Sequence, residues 1–276
     1  MKIYKIVNTV NNCLEIQYDI NNIMAWSFES KLPFNVMKCE VMSFSMKQSN
    51  FILYDYRMNN INLHRVSTKR DLGVLFDPKF DFSSHVNDLI TCSYRNLGFI
   101  VKNSRDFQSI ATLKSLFNCF VRAKLEYCFL VWNTLYHNSI RAIEIIQRKF
   151  TRYCWYKDNF GSQIDFHYNT ALISLYMISL ENRRTVQSIL FIYKLINNII
   201  MDSNLLALLN FHVPRINHPR QKVLFSTTTA RTNYEMKSPI RRSCSAVNVL
   251  YTSCDDLDFF FNCLLLFKKK LMTHYH

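Results

Sequence analysis

The sequence predicts an α+β protein that is mainly α-helical, and three observations predict it. Glycine occurs only three times in 276 residues, which argues against glycine-rich phosphate loops and for long helices. Ahead of Asp77-Pro78, short apolar runs are separated by polar or turn residues, the pattern of strands. Beyond it, apolar residues recur at three and four, the helical period. With 49% of residues hydrophobic, the chain can bury a real core.

In chain order, Leu14, Ile20, Ile23, Met24 and Trp26 predict an amphipathic helix from about Val10 to Phe28. The runs Leu32 to Val36, Val41 to Phe44, Phe51 to Tyr54 and Leu72 to Phe76 are expected to form a small antiparallel sheet. Ser83 or Ser84 then caps a helix carrying Val86, Leu89, Ile90, Tyr94, Leu97 and Val101, and Asp106 starts a second that runs through Phe117 and Val121 to Val131. Ser139 opens a third. At about 100° per residue, Ile143, Ile146, Phe150 and Cys154 fall on one side of it, and Arg141, Arg148 and Arg152 on the other. A solvated face and a phosphate-tracking face account for that arginine stripe equally well. A further helix is expected from about Leu180 to Ile200. Residues 203–255, with Pro214, Pro219 and Pro239, read as loops, and a terminal helix from about Asp256 to Met272 includes the apolar Phe259 to Phe267 run.

Composition narrows the function. Lys and Arg outnumber Asp and Glu by 34 to 20, a net charge of +14 that favours a polyanion, most often nucleic acid. Nine cysteines without a close pair imply a reducing compartment and the role of small buried hydrophobes. The nearest approach to a zinc set, Cys244, Cys254, Cys263, His274 and His276, has gaps too long for the usual templates. There is no signal-peptide pattern and no apolar stretch of membrane-spanning length, so an intracellular protein, nuclear or cytoplasmic and without a membrane partner, is expected. No serine, histidine and carboxylate set has hydrolase context, and His85 and His137 read as helix-start residues.

Several successive phrases then carry a resemblance. Leu32-Pro33-Phe34-Asn35-Val36-Met37-Lys38-Cys39-Glu40-Val41-Met42-Ser43-Phe44 is similar to motif D, and Val66-Ser67-Thr68-Lys69-Arg70-Asp71-Leu72-Gly73-Val74-Leu75-Phe76-Asp77 resembles the motif E or primer-grip hairpin, of reverse transcriptases from jockey-like, LINE-type non-LTR retrotransposons. A thumb-like series follows in Leu97-Gly98-Phe99-Ile100, Val121-Arg122-Ala123-Lys124-Leu125-Glu126-Tyr127, Val131-Trp132 and Ile143-Glu144-Ile145-Ile146-Gln147-Arg148-Lys149-Phe150. A weaker echo stands in Arg231-Thr232-Asn233-Tyr234 and Ser238-Pro239-Ile240-Arg241. The likeness spans about residues 1 to 155 and thins beyond.

The resemblance implies a palm remnant over residues 1–82, a thumb-like bundle over 83–160 and a helical region over 161–276. It also implies a C-terminal part of an RNA-directed DNA polymerase that starts just after the Tyr-x-Asp-Asp hairpin. In that family two separated aspartate motifs hold two Mg²⁺ ions for nucleotidyl transfer. Neither motif is in this sequence, so no catalysis and no cofactor are expected of the chain itself. Cys254-Asp255-Asp256, with Asp258 nearby, reads as the acidic start of a helix. By resemblance, Lys38 corresponds to the motif D lysine that protonates pyrophosphate or steadies the nucleotide. An exposed lysine at a strand edge is the better account of it without a metal site. Leu72, Gly73 and Val74 correspond to the primer grip, where glycine permits close backbone approach; a glycine ending a strand explains them equally. Expected contacts to RNA or DNA are Arg122, Lys124, Arg141, Arg148, Lys149 and Arg152, with Tyr153, Trp155 and Tyr156 as stacking surfaces. The rival readings are a stand-alone helical nucleic-acid or protein interaction module, and a full polymerase whose gene continues upstream.

Overall fold

Asn12 accepts the backbone N–H of Thr9 on its Oδ1 at 3.1 Å, and from this capped start α1 runs over Val10–Glu29 in the computed structural model. The structure describes residues 1–45, 52–133, 136–158, 165–213, 223–227, 229–230, 232, 235–236, 238–254 and 257–275. Within these, the chain divides into two compact units, Met1–His85 and Val86–His276.

In the first unit α1 buries Cys13 and Ile20 against Tyr56 and Met58. Gln17 fixes the register, because its side-chain amide donates to Arg57 O and accepts from Arg57 N, both at 2.9 Å, as a strand neighbour would. The strands are β1 (Glu40–Val41), β2 (Arg57–Met58), β3 (Ile61–Asn62), β4 (His64–Arg65), β5 (Lys69–Asp71) and β6 (Val74–Phe76). They form three separate pairs among the described residues: β1 with β4 in parallel, and β2 with β3 and β5 with β6 antiparallel. Three of the expected strands are therefore corrected. Leu32 to Val36 is irregular and leads into a 3₁₀ turn, Val36–Lys38, and only Val41 of the Val41 to Phe44 run lies in a strand. Phe51 lies outside the described residues, and Ile52 to Tyr54 is also irregular. Phe34, Val36, Ile52 and Tyr54 pack on the α1 core without a ladder. Apolar alternation here reports burial against a helix, while polar residues make most of the pairings.

The second unit contains α2 (Ser83–Asn103) from Val86 onward, α3 (Ile110–Phe117), a π-helical turn (Asn118–Arg122), α4 (Ala123–Glu126) and α5 (Phe129–Trp132). It continues through α6 (His137–Asp158), α7 (Tyr168–Ser174), α8 (Leu180–Ile196), α9 (Ser203–Ala207), α10 (Pro239–Ser253) and α11 (Leu264–His274). The helix expected from Asp106 begins instead after Ser109, whose hydroxyl accepts the N–H of Thr112. It breaks at Cys128, which is left-handed at φ 51°, and the Tyr127 carbonyl freed by that break takes the Trp132 indole N–H at 2.7 Å.

Later boundaries also differ. Asn198 turns left-handed and the N–H groups of Ile199 and Ile200 cap the Lys194 carbonyl, which ends α8 four residues before the expected Ile200. The loop expected over 203–255 contains α9 and α10, because Pro239 occupies the first turn of α10, where its missing N–H costs nothing. Pro214, Pro219, Asp255, Asp256, His276 and most of the Arg231 to Tyr234 echo lie outside the described residues. The terminal helix starts only at Leu264. Before it, Asp258 accepts the N–H groups of Phe260 and Phe261 in a turn, so the Phe259 to Phe267 run is not one buried helix: Phe259 and Phe267 are buried, whereas Phe261 is 91% exposed. Around α8, α10 and α11 a core forms from Ile189, Ile192, Val247, Leu250, Phe259 and Phe267. Phe117 of α3 stacks on Phe150 of α6 with centroids 4.2 Å apart, both fully buried.

Candidate nucleic-acid interface

α6 is divided as its sequence period requires. Ile143, Ile146, Phe150 and Cys154 are buried, and Arg141, Arg148, Lys149 and Arg152 are exposed. A rise of about 1.5 Å per residue sets Arg148 and Arg152 about 6 Å apart along the axis. Three of these four cations lie on aromatic rings from other elements. Lys149 Nζ is 4.6 Å from the Tyr94 ring of α2, the Arg152 guanidinium is 5.0 Å from Phe166, and that of Arg148 is 6.0 Å from Tyr168. A ring beneath a cation holds its stem in few rotamers while the N–H edges stay turned to solvent. The result is a row of preoriented donors with no carboxylate paired to them by a salt bridge among the described residues.

The remaining expected contacts are placed elsewhere. Arg122 is half-buried beside Arg183 and Glu126; burial, then repulsion from Arg183, lowers its pKa, and Glu126 opposes the shift. Lys124 is exposed and donates to the Cys92 thiol at 3.2 Å. Of the expected stacking surfaces, Tyr156 is exposed, Trp155 packs edge-on to Phe166 6.4 Å away, and the Tyr153 hydroxyl is hydrogen-bonded to Ser104. Tyr153 is thus tied to the end of α2. In the first unit, Lys38 is exposed at the end of the 3₁₀ turn, not on a strand. Leu72 and Gly73 form the two-residue turn between β5 and β6, both at positive φ (43° and 85°), and Val74 is buried.

Two residues of the α6 phrase were not singled out by sequence reasoning and organise the helix packing. Gln147 is fully buried on the apolar side and donates to the Ile178 carbonyl at 3.0 Å and the Tyr168 hydroxyl at 3.1 Å. Glu144 accepts the Tyr168 O–H and the N–H groups of Leu180 and Glu181, at 3.2 and 3.3 Å, at the start of α8. Tyr94, Phe166 and Tyr168 also escaped the sequence reading, because no local spacing links them to α6. No group of three or more His, Cys, Asp or Glu able to hold a metal ion is present among the described residues, and no described helix is long and apolar enough to cross a membrane. Compared with known proteins, the chain matches no family model, no curated protein and no solved structure.

Proposed function

We propose that this chain is a non-catalytic nucleic-acid-binding part of a retrotransposon-type RNA-directed DNA polymerase, and that α6 grips the sugar-phosphate backbone of RNA or DNA. The single observation that carries the reading is the row Arg148, Lys149 and Arg152, each cation seated on an aromatic ring and exposed. A structural cation normally meets a carboxylate, and among the described residues these three are in no salt bridge. Their donors suit phosphate oxygens, where Arg provides a fork and Lys a point charge. The net charge of +14 adds a long-range attraction to polyanions. The motif phrases in residues 32–44, 66–77 and 97–150 supply the polymerase part of the reading. The non-catalytic part rests on the sequence itself, in which no Tyr-x-Asp-Asp run occurs; Mg²⁺ belongs to the intact parent enzyme.

The test is binding to a labelled RNA–DNA hybrid across a salt series from about 50 to 200 mM, with the triple variant R148Q/K149Q/R152Q alongside. Each lost phosphate contact flattens the slope of log K against log salt by about 0.7–0.9, so the triple variant is expected to lose about 2–3 in slope. No binding at low salt, or an unchanged slope in the variant, overturns the reading. Magnesium-dependent primer extension by the purified chain overturns its non-catalytic part.

A further inference from the structure

α2 meets the π-helical turn and α4 along one antiparallel seam. Lys124 donates to the Cys92 thiol at 3.2 Å, and one turn away on each helix Asn96 donates its amide to the Phe120 carbonyl at 2.6 Å. The π-helical turn, Asn118–Arg122, is a rare form that gathers at functional sites. Phe117, Val121 and Leu125 are fully buried on the inner side of this stretch, whereas Phe120 is turned outward and 48% exposed. Phe99, three residues beyond Asn96 on α2, is 63% exposed. Neither ring stacks on another ring among the described residues. Leaving two phenylalanines in water forgoes the stabilisation their burial would bring, and a partner that covers them recovers it. Arg95 and Lys102 of α2 and Lys124 across the seam are exposed, and none is in a salt bridge among the described residues. Three carboxylates belong to the same stretch of chain, residues 86–126. Asp88 lies about 10 Å before Arg95 along the axis of α2, Asp106 follows the end of α2, and Glu126 is largely buried and takes Arg183 and Gln187 of α8.

We propose that this seam binds single-stranded RNA or DNA, with unpaired bases stacking on Phe99 and Phe120 and the backbone held by Arg95, Lys102 and Lys124. The inference rests on the reading of the chain as a nucleic-acid binder and names the form of nucleic acid. In a duplex the base faces are covered by their neighbours; an unpaired strand offers those faces to any exposed aromatic ring. Two of the stacking surfaces expected from sequence are already engaged, Tyr153 with Ser104 and Trp155 with Phe166. An apolar seam rimmed by cations complements a partner that has apolar faces and a negative backbone. A purely apolar partner would cover the rings and leave the three cations unanswered.

The experiment measures the affinity of the full chain for three probes at one ionic strength: a single DNA strand of about 20 nucleotides, enough to span such a site, the same strand with abasic spacers in place of its bases, and the blunt duplex. The intact strand is expected to bind about fivefold or more tightly than the abasic strand, which keeps every phosphate. F99A/F120A is expected to erase that ratio and to leave the affinities for the abasic strand and the duplex unchanged, and F99Y/F120Y to retain the ratio. R148Q/K149Q/R152Q is expected to weaken all three probes and keep the ratio, so this inference and the α6 reading fail separately. Should the alanine pair not fold, F99L/F120L decides: leucine keeps apolar area without a π-face, and the ratio is expected to be lost. Equal affinity for the intact and abasic strands, a ratio unchanged in F99A/F120A or F99L/F120L, or a duplex affinity that falls as far as that of the single strand overturns the proposal. Self-association of the chain that F99A/F120A abolishes also overturns it, since the seam then belongs to a second copy.

Discussion

Glu144 of α6 accepts the backbone N–H of Leu180, the first residue of α8, at 3.2 Å. A carboxylate from one helix thereby satisfies donors at the start of another, where the helix dipole favours negative charge. Ser179 adds a second acceptor, taking the N–H of Asn182 on its hydroxyl at 3.1 Å. Glu144→Ala removes the shared acceptor of Leu180, Glu181 and Tyr168, and is expected to cost about 1–3 kcal/mol. Urea unfolding checks it: a midpoint equal to that of the parent chain contradicts the role.

The Tyr168 hydroxyl donates to Glu144, and its pKa is pushed well above the ordinary phenol value, first by burial, then by the Glu144 charge. The folded state therefore keeps this proton at a pH where the unfolded state releases it. The associated stability is complete below the unfolded pKa of about 10 and declines as pH rises through it toward the folded value. Tyr168→Phe is expected to lose stability at neutral pH and to show a shallower alkaline decline than the parent. Melting temperatures between about pH 9 and 11 check it, and parallel declines would count against the assignment.

Arg183 of α8 makes a two-pronged contact with Glu126 of α4, with Nη2 3.0 Å from Oε2, and Gln187 donates to the same carboxylate at 3.1 Å. Both charged side chains are largely buried, at 21% and 15% exposure. Removing Glu126 strands the Arg183 charge beside Arg122, so Glu126→Ala is expected to cost about 3 kcal/mol. The double variant Glu126→Ala with Arg183→Met is expected to be less destabilised than the two single costs added together. A double-mutant cycle in denaturant measures this coupling; strict additivity refutes it.

Leu72 holds φ 43° at the tip of the β5–β6 hairpin and is 77% exposed. A left-handed conformation costs a non-glycine residue about 1–2 kcal/mol, and little buried area is at stake here. Leu72→Gly is expected to stabilise the first unit by a net amount of about 0.5–1 kcal/mol, since glycine's larger unfolded-state entropy offsets part of the gain. Hydrogen exchange of the Val74 amide reads this locally: slower exchange agrees, faster exchange does not.

The rings under the α6 cations should matter without carrying charge. Tyr94→Leu and Phe166→Leu leave Lys149 and Arg152 in place but remove their seats. At exposed sites such contacts are worth about 0.5–1 kcal/mol, so each change is expected to weaken nucleic-acid binding about two- to fivefold with an unchanged salt slope. A changed slope would show that the rings alter how many phosphates are met.

The helices with strong period were readable before any coordinates. The starts of α1, α2 and α6 lie within one to two residues of expectation because each has a wide apolar face and, for α1 and α6, a polar face opposite it. Strands were not readable. β2, β3 and β4 are built from residues such as Arg57, Asn62 and His64, whose pairing depends on the left-handed Asn59-Asn60 turn and on Gln17 forty residues away. The site was half legible. The spacing of Arg141, Arg148 and Arg152 was enough to place them on one exposed face, but nothing local announced Tyr94, Phe166 or Tyr168.

By itself the sequence determined the mainly helical class, the strongly cationic character and the two opposed faces of α6, since all three depend on residue type and a period of 3.6. Tertiary structure alone decided which cations sit on aromatic rings, which carboxylate caps α8, and where the buried Gln147 finds its acceptors. Those outcomes depend on distances between residues far apart in the chain, which are set by packing whole helices against one another and not by any local pattern.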